Sequence, residues 1–248
     1  MQVQPRREVH IDAFADGVQR HPRHAVVFID ILLSSTTLVT SAAQGRRTLV
    51  AANLDEGRRR ARGLRNPILA ADPGAAAAFE FDSGTGPSRL SNLASPERPF
   101  LLLSPAVGFL SVSGQAPALF VACLRNMTAT IEALAQEHEE VVLVATGHAG
   151  QARCEDQMVA GWMGARLLEL GYAPSGLQTR REIERWGRAD LSLLALGRGA
   201  DHLRRLGRDA DLDFVLKRVD DLDTVCRYHG DEVRATWPAP ARVAATAH

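Results

Sequence analysis

Apolar and polar positions alternate along the chain in short blocks. Apolar runs of five to seven residues have the length and composition of buried strands, and they cover residues 8–14, 25–30, 48–52, 67–71, 99–104, 118–122 and 140–146. Apolar residues recur with helical spacing in the intervening segments 34–44, 54–64, 106–112 and 126–138, and in a longer helix over 155–171 that ends at Gly171. Strands alternating with helices predict an α/β fold with much parallel pairing.

The C-terminal third of the chain is patterned differently. Residues 175–210 have helical spacing and many arginines, most of which we expect on solvated helix faces. Residues 211–235 predict a closing helix or strand followed by a terminal strand pair. We expect one α/β domain over residues 1–240, as one body or two lobes, and a disordered tail over 241–248, which is of low complexity.

The composition narrows the classes of partner. The formal net charge is zero, so nothing favours binding to nucleic acid or to a membrane surface. No apolar run reaches the eighteen residues of a membrane span, and the start of the chain lacks a signal-peptide pattern. Three scattered cysteines indicate a reducing compartment. We expect a cytoplasmic protein that acts on a small molecule, as a monomer or as an assembly of identical chains.

Polar residues follow several predicted strands, where ligands bind in open α/β sheets. Asp30 ends one strand and is followed by the hydroxyl residues of 34–37, Ser104 ends a second, and Thr146 ends a third ahead of a Gly-rich loop. A helix that begins there offers free N–H groups and a partial positive charge to an anion. Serine and threonine at this place are equally typical of helix N-caps, so both interpretations of the hydroxyls stay open.

An adjacent pair of acids, Glu155 and Asp156, follows the Gly-rich loop after Thr146. Together with Asp30 they would suit a divalent cation such as Mg²⁺, which binds a few carboxylates and keeps several waters. The alternative is that the pair only stabilises the positive end of a helix. His148 lies in the same loop and is a candidate acid or base, although an isolated loop histidine is more often incidental.

Several segments, in order, resemble the 2-phosphosulfolactate phosphatase family. They are VVFIDILLSSTT (26–37), FDSGTGP (81–87), LLSPAVG (102–108), CLRNMTATIEAL (123–134), VATGHAGQARCEDQMVAGWM (144–163) and LRRLGRDADLDFVLKRVD (203–220). The similarity covers nearly the whole chain. It implies a three-layer α/β/α fold with a largely parallel or mixed sheet, and Mg²⁺-dependent hydrolysis of a phosphate ester on a small sulfonated hydroxy acid.

The resemblance and the positions of polar residues after the strands together predict which residues form the site. The predicted metal ligands and catalytic acids are Asp30, Glu155 and Asp156, with His148 as a further catalytic candidate. The predicted substrate-binding residues are Ser35, Thr36, Thr37, Gly108, Arg125, Asn126 and Gly147. The chemistry is consistent with such a set, because a cation would neutralise phosphoryl oxygens while Arg125 and helix N-termini hold the anion.

The chain departs from the family pattern on the anion side of the predicted site. Leu33 replaces the family's arginine, Thr85 and Gly86 replace its asparagine and serine, and SPAVG (104–108) replaces a segment with an amide and hydroxyls. We therefore expect a divergent hydrolase that acts on a small phosphorylated or otherwise anionic metabolite. The alternatives are a lyase or dehydratase of a specialised biosynthetic pathway on the same scaffold, and a non-catalytic binding protein.

Overall fold

The computed structural model describes residues 7–13, 21–72, 81–82, 84–108, 110, 116–147 and 151–236. Its strands are β1 (Glu8–Asp12), β2 (Ala25–Ile29), β3 (Thr48–Ala51), β4 (Ile68–Ala71), β5 (Phe100–Leu103), β6 (Leu119–Ala122), β7 (Glu140–Ala145), β8 (Ala173–Pro174), β9 (Val225–His229) and β10 (Glu232–Thr236). Its α-helices are α1 (Ser34–Ala43), α2 (Leu54–Ala61), α3 (Pro87–Ser91), α4 (Met127–Glu137), α5 (Cys154–Glu169), α6 (Gly176–Trp186), α7 (Arg198–Arg205) and α8 (Asp209–Lys217).

The described strands form one mixed sheet in the order β4-β5-β3-β10-β9-β6-β2-β7-β1-β8. The sheet contains two sets of parallel strands. One set consists of β6, β2, β7, β1 and β8, and the other consists of β4, β5 and β3. The antiparallel pair β9 and β10 joins the two sets, since β9 pairs with β6 and β10 with β3. The predicted mixed or largely parallel sheet is confirmed.

The apolar runs predicted as strands are all strands in the structure. Every residue of β2, β3, β5 and β6 is buried, which explains why their sequences are continuous apolar runs without alternation. The terminal strand pair is confirmed as β9 and β10, and the segment before it is helical, as α8. Gly171 has a φ of +92° directly after the last turn of α5, as a C′ glycine requires.

Helices cover both faces of the sheet, so the α/β/α prediction is confirmed. Helices α4, α5 and α6 contact one another and strands β1, β6 and β7, whereas α1 packs against α3, β6 and β10. A smaller second core lies where α2 and Phe81 cover β3, β4 and β5. Within the described chain, none of the helices combines the length and apolar character that crossing a membrane would need.

The two parallel sets run in opposite directions, because an antiparallel pair separates them. In a flat sheet the carboxyl ends of β2 and β4 would therefore lie at opposite edges. Adjacent strands rotate by about 20–25° on average, and six such steps separate β4 from β2, so the sheet wraps around α1. The consequence is that residues after β4 and β5 reach the N-terminus of α1, which follows β2.

A buried ion pair joins α3 to α8. Arg208 and Asp211 lie 2.7 Å apart, and Asp211 also accepts hydrogen bonds from the backbone N–H and hydroxyl of Ser88 in the first turn of α3. Gly86 immediately precedes α3, and a Cβ at Gly86 would lie 2.1 Å from Nη2 of Arg208 and 2.5 Å from Oδ2 of Asp211. The ion pair therefore fills the space that a side chain at Gly86 would need.

Two sequence predictions are only partly covered. Of the predicted helix 106–112, the described part begins with a 3₁₀ turn at Pro105–Val107. The predicted tail 241–248 lies outside the described residues.

Candidate functional site

A small cleft lies at the carboxyl end of β2, between the turn that precedes α1 and the start of α7. Its empty volume, counting the space that is open to solvent, is about 520 Å³. The residues that line it are Asp30, Leu32, Leu33, Ser34, Asp72, Arg153, Glu155, Asp156, Gly199, His202 and Leu203. The three acids predicted to converge therefore lie together, and a fourth, Asp72, joins them.

The first hydroxyl of α1 connects acids from both parallel strand sets. Ser34 donates a hydrogen bond from Oγ to Oδ2 of Asp30 at 2.8 Å. The same Oγ lies 3.1 Å from Oδ2 of Asp72 and 3.3 Å from Oγ of Ser104. Asp72 follows β4 and Ser104 follows β5, so the ends of three strands meet at one side chain.

Asp156 links the two turns that form the floor of the cleft. Its carboxylate accepts a hydrogen bond from the backbone N–H of Ile31 at 2.9 Å, and it also accepts one from the N–H of Gly147. Ile31 belongs to the turn after β2, and Gly147 to the turn after β7. Because Asp156 is 2% exposed, this pairing fixes both turns relative to α5 in a setting that excludes water.

Glu155 packs directly against the backbone of α7. A Cβ at Gly199 would lie 1.9 Å from Oε1 of Glu155, and one at Gly197 would lie 3.1 Å from Oε2. Both positions must lack a side chain for α7 to approach this closely. Glu155 is 2% exposed, so its carboxylate is aimed into the cleft rather than towards bulk solvent.

Burial and nearby charges keep Asp30 and Asp156 from ionising easily. The pKa of Asp30 is raised to about 7, first by burial and then by the charges of Asp72 and Glu155, while the hydrogen bond from Ser34 opposes the rise. Burial, followed by the charges of Asp30 and Glu155, also raises the pKa of Asp156 well above its usual range. At neutral pH the cleft therefore contains more carboxyl groups than it can hold charged without a counter-ion.

The donor set is suited to a hard divalent cation. It consists of carboxylate and hydroxyl oxygens, the ligands that Mg²⁺ prefers. No three of the described carboxylates bring ligand atoms within 4.8 Å of one another, which is consistent with an ion that keeps several water ligands. A cation here would also remove the repulsion that raises the pKa of Asp30. The residues present therefore fit Mg²⁺.

The rest of the lining combines two nitrogen side chains with apolar surface. Arg153, at the N-terminus of α5, and His202, on α7, are the groups of the described lining that can bind an anion through N–H donors. Leu32, Leu33 and Leu203 supply carbon surface. Leu33 is 4% exposed.

The predicted substrate contacts of Ser35, Thr36 and Thr37 are corrected by the structure. Their hydroxyls donate to the backbone carbonyls of Asp30 at 2.8 Å, Ile31 at 2.9 Å and Leu33 at 2.9 Å respectively. All three side chains are buried and none lines the cleft. The hydroxyl run therefore holds the turn between β2 and α1 in shape, and only Ser34 faces the site.

The predicted place of Arg125 in the cleft is wrong. Its Nε and Nη2 donate to the two carboxylate oxygens of Asp221 at 2.9 and 2.8 Å, and Nη1 donates to the hydroxyl of Thr40 at 3.0 Å. Its guanidinium also lies 5.1 Å from the ring centroid of Phe214. The bidentate fork expected to bind an anion is therefore used inside the protein, to attach the segment after α8 to α1.

The remaining predicted residues have supporting positions. Asn126 is fully buried, where its side chain accepts from the N–H of Cys123 and donates to the carbonyl of Val121. Gly108 packs against Ala52 rather than lining the cleft. Gly147 donates its backbone N–H to the carboxylate of Asp156.

His148 lies outside the described residues, so its catalytic role stays a prediction.

Sequence reasoning missed Asp72, Arg153 and His202 as lining residues. A signal for Asp72 was present, because it directly follows an apolar run as Asp30 does. Arg153 stands two residues before Glu155, in the same loop. His202 had no signal, since α7 is distant along the chain and reaches the cleft only through packing.

We expect Gly199→Ala to damage the site more than the fold. The added methyl group would meet Oε1 of Glu155 at 1.9 Å and must displace the carboxylate or α7. Turnover of a phosphate monoester in a steady-state assay should fall at least tenfold, while the far-UV circular dichroism spectrum stays unchanged. The matched control is Gly207→Ala, just after α7, where nothing lies within 4 Å of the new methyl group. This variant should lose some stability, because an alanine is strained at a φ of +67°, but it should keep its turnover. Equal turnover for wild type and Gly199→Ala would contradict this packing.

Arg125→Ala should act on stability rather than on substrate affinity. Although burial opposes it, the hydrogen bonds and charge of Arg125, with those of Arg218, lower the pKa of Asp221, so the pair is formed at neutral pH. Removing Arg125 should cost about 2–3 kcal/mol of unfolding free energy, less than a fully buried pair, because Arg218 remains 3.1 Å from Asp221. Urea unfolding measures the loss, and Arg218→Ala, at an exposed guanidinium, should cost less than about 1 kcal/mol. A large rise in KM at unchanged stability would return Arg125 to the site.

The chain is similar in sequence to named phosphatases. The family model described as 2-phosphosulpholactate phosphatase matches residues 14–231. A protein of Pseudothermotoga lettingae named "Probable 2-phosphosulfolactate phosphatase" is 28% identical over 197 residues, which cover 77% of this chain and 84% of the relative. A protein of Deinococcus radiodurans with the same name is 28% identical over 214 residues, which cover 84% of this chain and 88% of the relative. The family model spans most of the chain, and Asp30, Glu155 and Asp156 within the matched residues line one cleft. This protein therefore belongs to the 2-phosphosulfolactate phosphatase family.

Proposed function

We propose that this protein hydrolyses a phosphate monoester of a small metabolite, with Mg²⁺ as cofactor. The observation that carries the proposal is the cleft itself. Four carboxyl groups from the ends of β2 and β4 and from the first turn of α5 line one small cavity, and an arginine and a histidine line it as well. Family membership supports the reaction class, and the departures at Leu33 and residues 104–108 support a changed substrate.

The acids have distinct tasks in this proposal. Asp30, Glu155 and Asp72 would hold Mg²⁺, directly or through its water ligands, and Asp156 would add to the negative charge of the site while it keeps its two backbone hydrogen bonds. When bound, Mg²⁺ supplies positive charge that neutralises the phosphoryl oxygens as charge develops on them. Ser34 orients Asp30 through the 2.8 Å hydrogen bond.

The chain's own nitrogen groups would bind the phosphoryl group and supply the proton. Arg153 can hold two phosphoryl oxygens with its planar fork. In the reaction, water adds to phosphorus, the bond to the ester oxygen breaks, and that oxygen takes a proton. His202, which lines the cleft, would give that proton, and His148 is the second candidate for the same task.

The lining favours a substrate with fewer charges than 2-phosphosulfolactate. Leu32, Leu33 and Leu203 offer carbon surface, whereas a sulfonate and a carboxylate both need donors. The described lining offers one guanidinium, that of Arg153. We therefore infer a monoester whose leaving group is largely apolar.

The stability of the metal-free protein should fall as pH rises through about 7. A carboxyl group whose pKa is raised by folding stabilises the fold while it is protonated, and this contribution is lost as pH rises through its folded-state pKa, about 7 for Asp30. In EDTA, the melting temperature of the wild type should decline between pH 5.5 and pH 8.5, and Asp30→Asn should flatten that decline. Mg²⁺ should restore the wild type at pH 8.5, because the cation replaces the lost proton.

The control for this pH dependence is Asp213→Asn, which removes an exposed acid paired with Lys217 and should follow the wild type. A pH profile of Asp30→Asn that overlays the wild type would show that Asp30 is not the titrating group. If Mg²⁺ does not change the melting temperature of the wild type at pH 8.5, the result would argue against a cation in the cleft.

Substrate preference should depend on Leu33. We expect the wild type to have a higher kcat/KM for phenyl phosphate than for 2-phosphosulfolactate, both assayed with Mg²⁺. Leu33→Arg should shift the ratio towards 2-phosphosulfolactate by about 10- to 150-fold, since a charge-assisted hydrogen bond contributes about 1.5–3 kcal/mol. Phosphate release in a coupled assay measures both rates.

Leu196→Arg is the control for this comparison, because it adds the same charge at a leucine that is 74% exposed and outside the cleft. Wild-type turnover of 2-phosphosulfolactate in the common range of about 1–1000 per second would contradict the proposed change of substrate. Tight binding of both esters without phosphate release would instead support a binding protein on this scaffold.

A further inference from the structure

Three histidines near the start of the described chain lie against one another, outside the cleft. The ring centroid of His10 lies 4.2 Å from that of His21 and 4.8 Å from that of His24, and the latter two are 4.8 Å apart. One nitrogen from each ring can be chosen so that all three lie within 4.8 Å of one another. Among the described residues, no other three histidine, cysteine or acidic side chains meet this condition.

The backbone holds these rings from two directions. Val9 and Ile11 of β1 are buried, and Ile11 lies beside α5 and α6, so His10 between them points to the other face of the strand. His21 and His24 flank a short turn before β2, which is closed by a hydrogen bond from the N–H of His24 to the carbonyl of His21 at 3.1 Å. The turn places both imidazoles beside His10.

The surroundings of the three rings suit metal ligands better than stacked aromatic side chains. The interplanar angles are 46°, 75° and 61°, so the three rings are tilted against one another rather than stacked in parallel. Nδ1 of His24 is buried and has no hydrogen-bond partner among the described residues. The carboxylate of Asp12 lies 3.5 Å from Nε2 of His21, and a carboxylate beside a metal-binding imidazole commonly orients that ring.

We propose that His10, His21 and His24 form a binding site for a divalent transition metal ion. Zn²⁺ is the ion that we consider. Three imidazoles are a ligand set that Zn²⁺ binds in tetrahedral geometry, with a water molecule in the fourth position. Asp12 is a positioning residue that orients His21. The ion would connect β1 to the turn before β2.

The geometry needs only a small adjustment to accept the ion. Zinc–nitrogen bonds of about 2.0–2.1 Å put the ligand nitrogens of a tetrahedral site about 3.4 Å apart. The observed limit of 4.8 Å therefore closes through modest rotations of half-buried rings.

This site is separate from the acid cleft in position and in chemistry. His24 precedes β2 and Asp30 follows it, six residues later, which corresponds to about 20 Å of extended strand. Nitrogen ligands favour Zn²⁺ over Mg²⁺, whereas the carboxylates of the cleft favour Mg²⁺. Each site can therefore be tested while the other is saturated.

The test is a calorimetric titration of the full, untagged chain with Zn²⁺ in the presence of excess Mg²⁺, which occupies the cleft. We expect one tightly bound Zn²⁺ per chain. Affinity should fall more than about 100-fold in His10→Gln, His21→Gln and His24→Gln, and about 10- to 100-fold in Asp12→Asn. In a parallel titration, Co²⁺ should give the intense visible absorption of tetrahedral coordination in the wild type and lose it in the histidine variants.

Two controls separate this site from other histidines and from the cleft. His229→Gln removes an exposed histidine of β9, and Asp30→Asn removes a cleft acid; both should bind Zn²⁺ as the wild type does. Thermal melts without metal identify any variant that fails to fold, and the three histidine variants lie on two elements, so one misfolded variant leaves the test intact. Absence of tight Zn²⁺ binding to the wild type, or equal affinity in the folded histidine variants, would overturn the proposal.

Discussion

The arrangement of the cleft depends on the hydroxyl group of Ser34, which has more hydrogen-bond acceptors around it than hydrogens to donate. Ser34 has a single hydroxyl hydrogen, yet its oxygen lies within 3.3 Å of carboxylate oxygens of Asp30 and Asp72 and of the hydroxyl of Ser104. The contact to Asp30 is 2.8 Å and the contact to Asp72 is 3.1 Å, so a single hydroxyl hydrogen serves two carboxylates. The raised pKa of Asp30 accompanies the same shortage, because Asp30 is buried and lies close to the charge of Asp72. The site is thus complete only when protons or a metal ion balance its charge.

That shortage arises from the topology of the sheet. Asp30 belongs to one parallel set and Asp72 to the other, and the two sets run in opposite directions on either side of β9 and β10. The twist of the sheet brings the carboxyl ends of β2 and β4 together at the N-terminus of α1. The hydroxyls of Ser35, Thr36 and Thr37 stabilise that terminus, because they donate hydrogen bonds to backbone carbonyls of the turn that precedes it. A change in β4 or β5 would therefore reach the cleft through Asp72 and Ser104 without touching β2.

The sequence predicted the elements better than their partners. The strands were predictable because a continuous apolar run such as β2 has one stable environment, between two helix layers. Asp30 and Asp156 were predictable because carboxyl ends of strands and helix N-termini have local signatures. The partner of Arg125 was not, since Asp221 is 96 residues away and nothing local distinguishes an arginine that binds a ligand from one that binds its own chain. His202 and the histidine cluster likewise depend on packing between distant segments.

The pair of Arg208 and Asp211 has a consequence for how this chain can evolve. It occupies the space beside Gly86, so the Cβ of any larger residue there would lie 2.1 Å from Nη2 of Arg208. A larger residue at Gly86 therefore requires Arg208 or Asp211 to move, and loss of the ion pair alone would release the start of α3. The effect of a substitution at Gly86 thus depends on the residues at 208 and 211, and we expect substitutions at these positions to be epistatic.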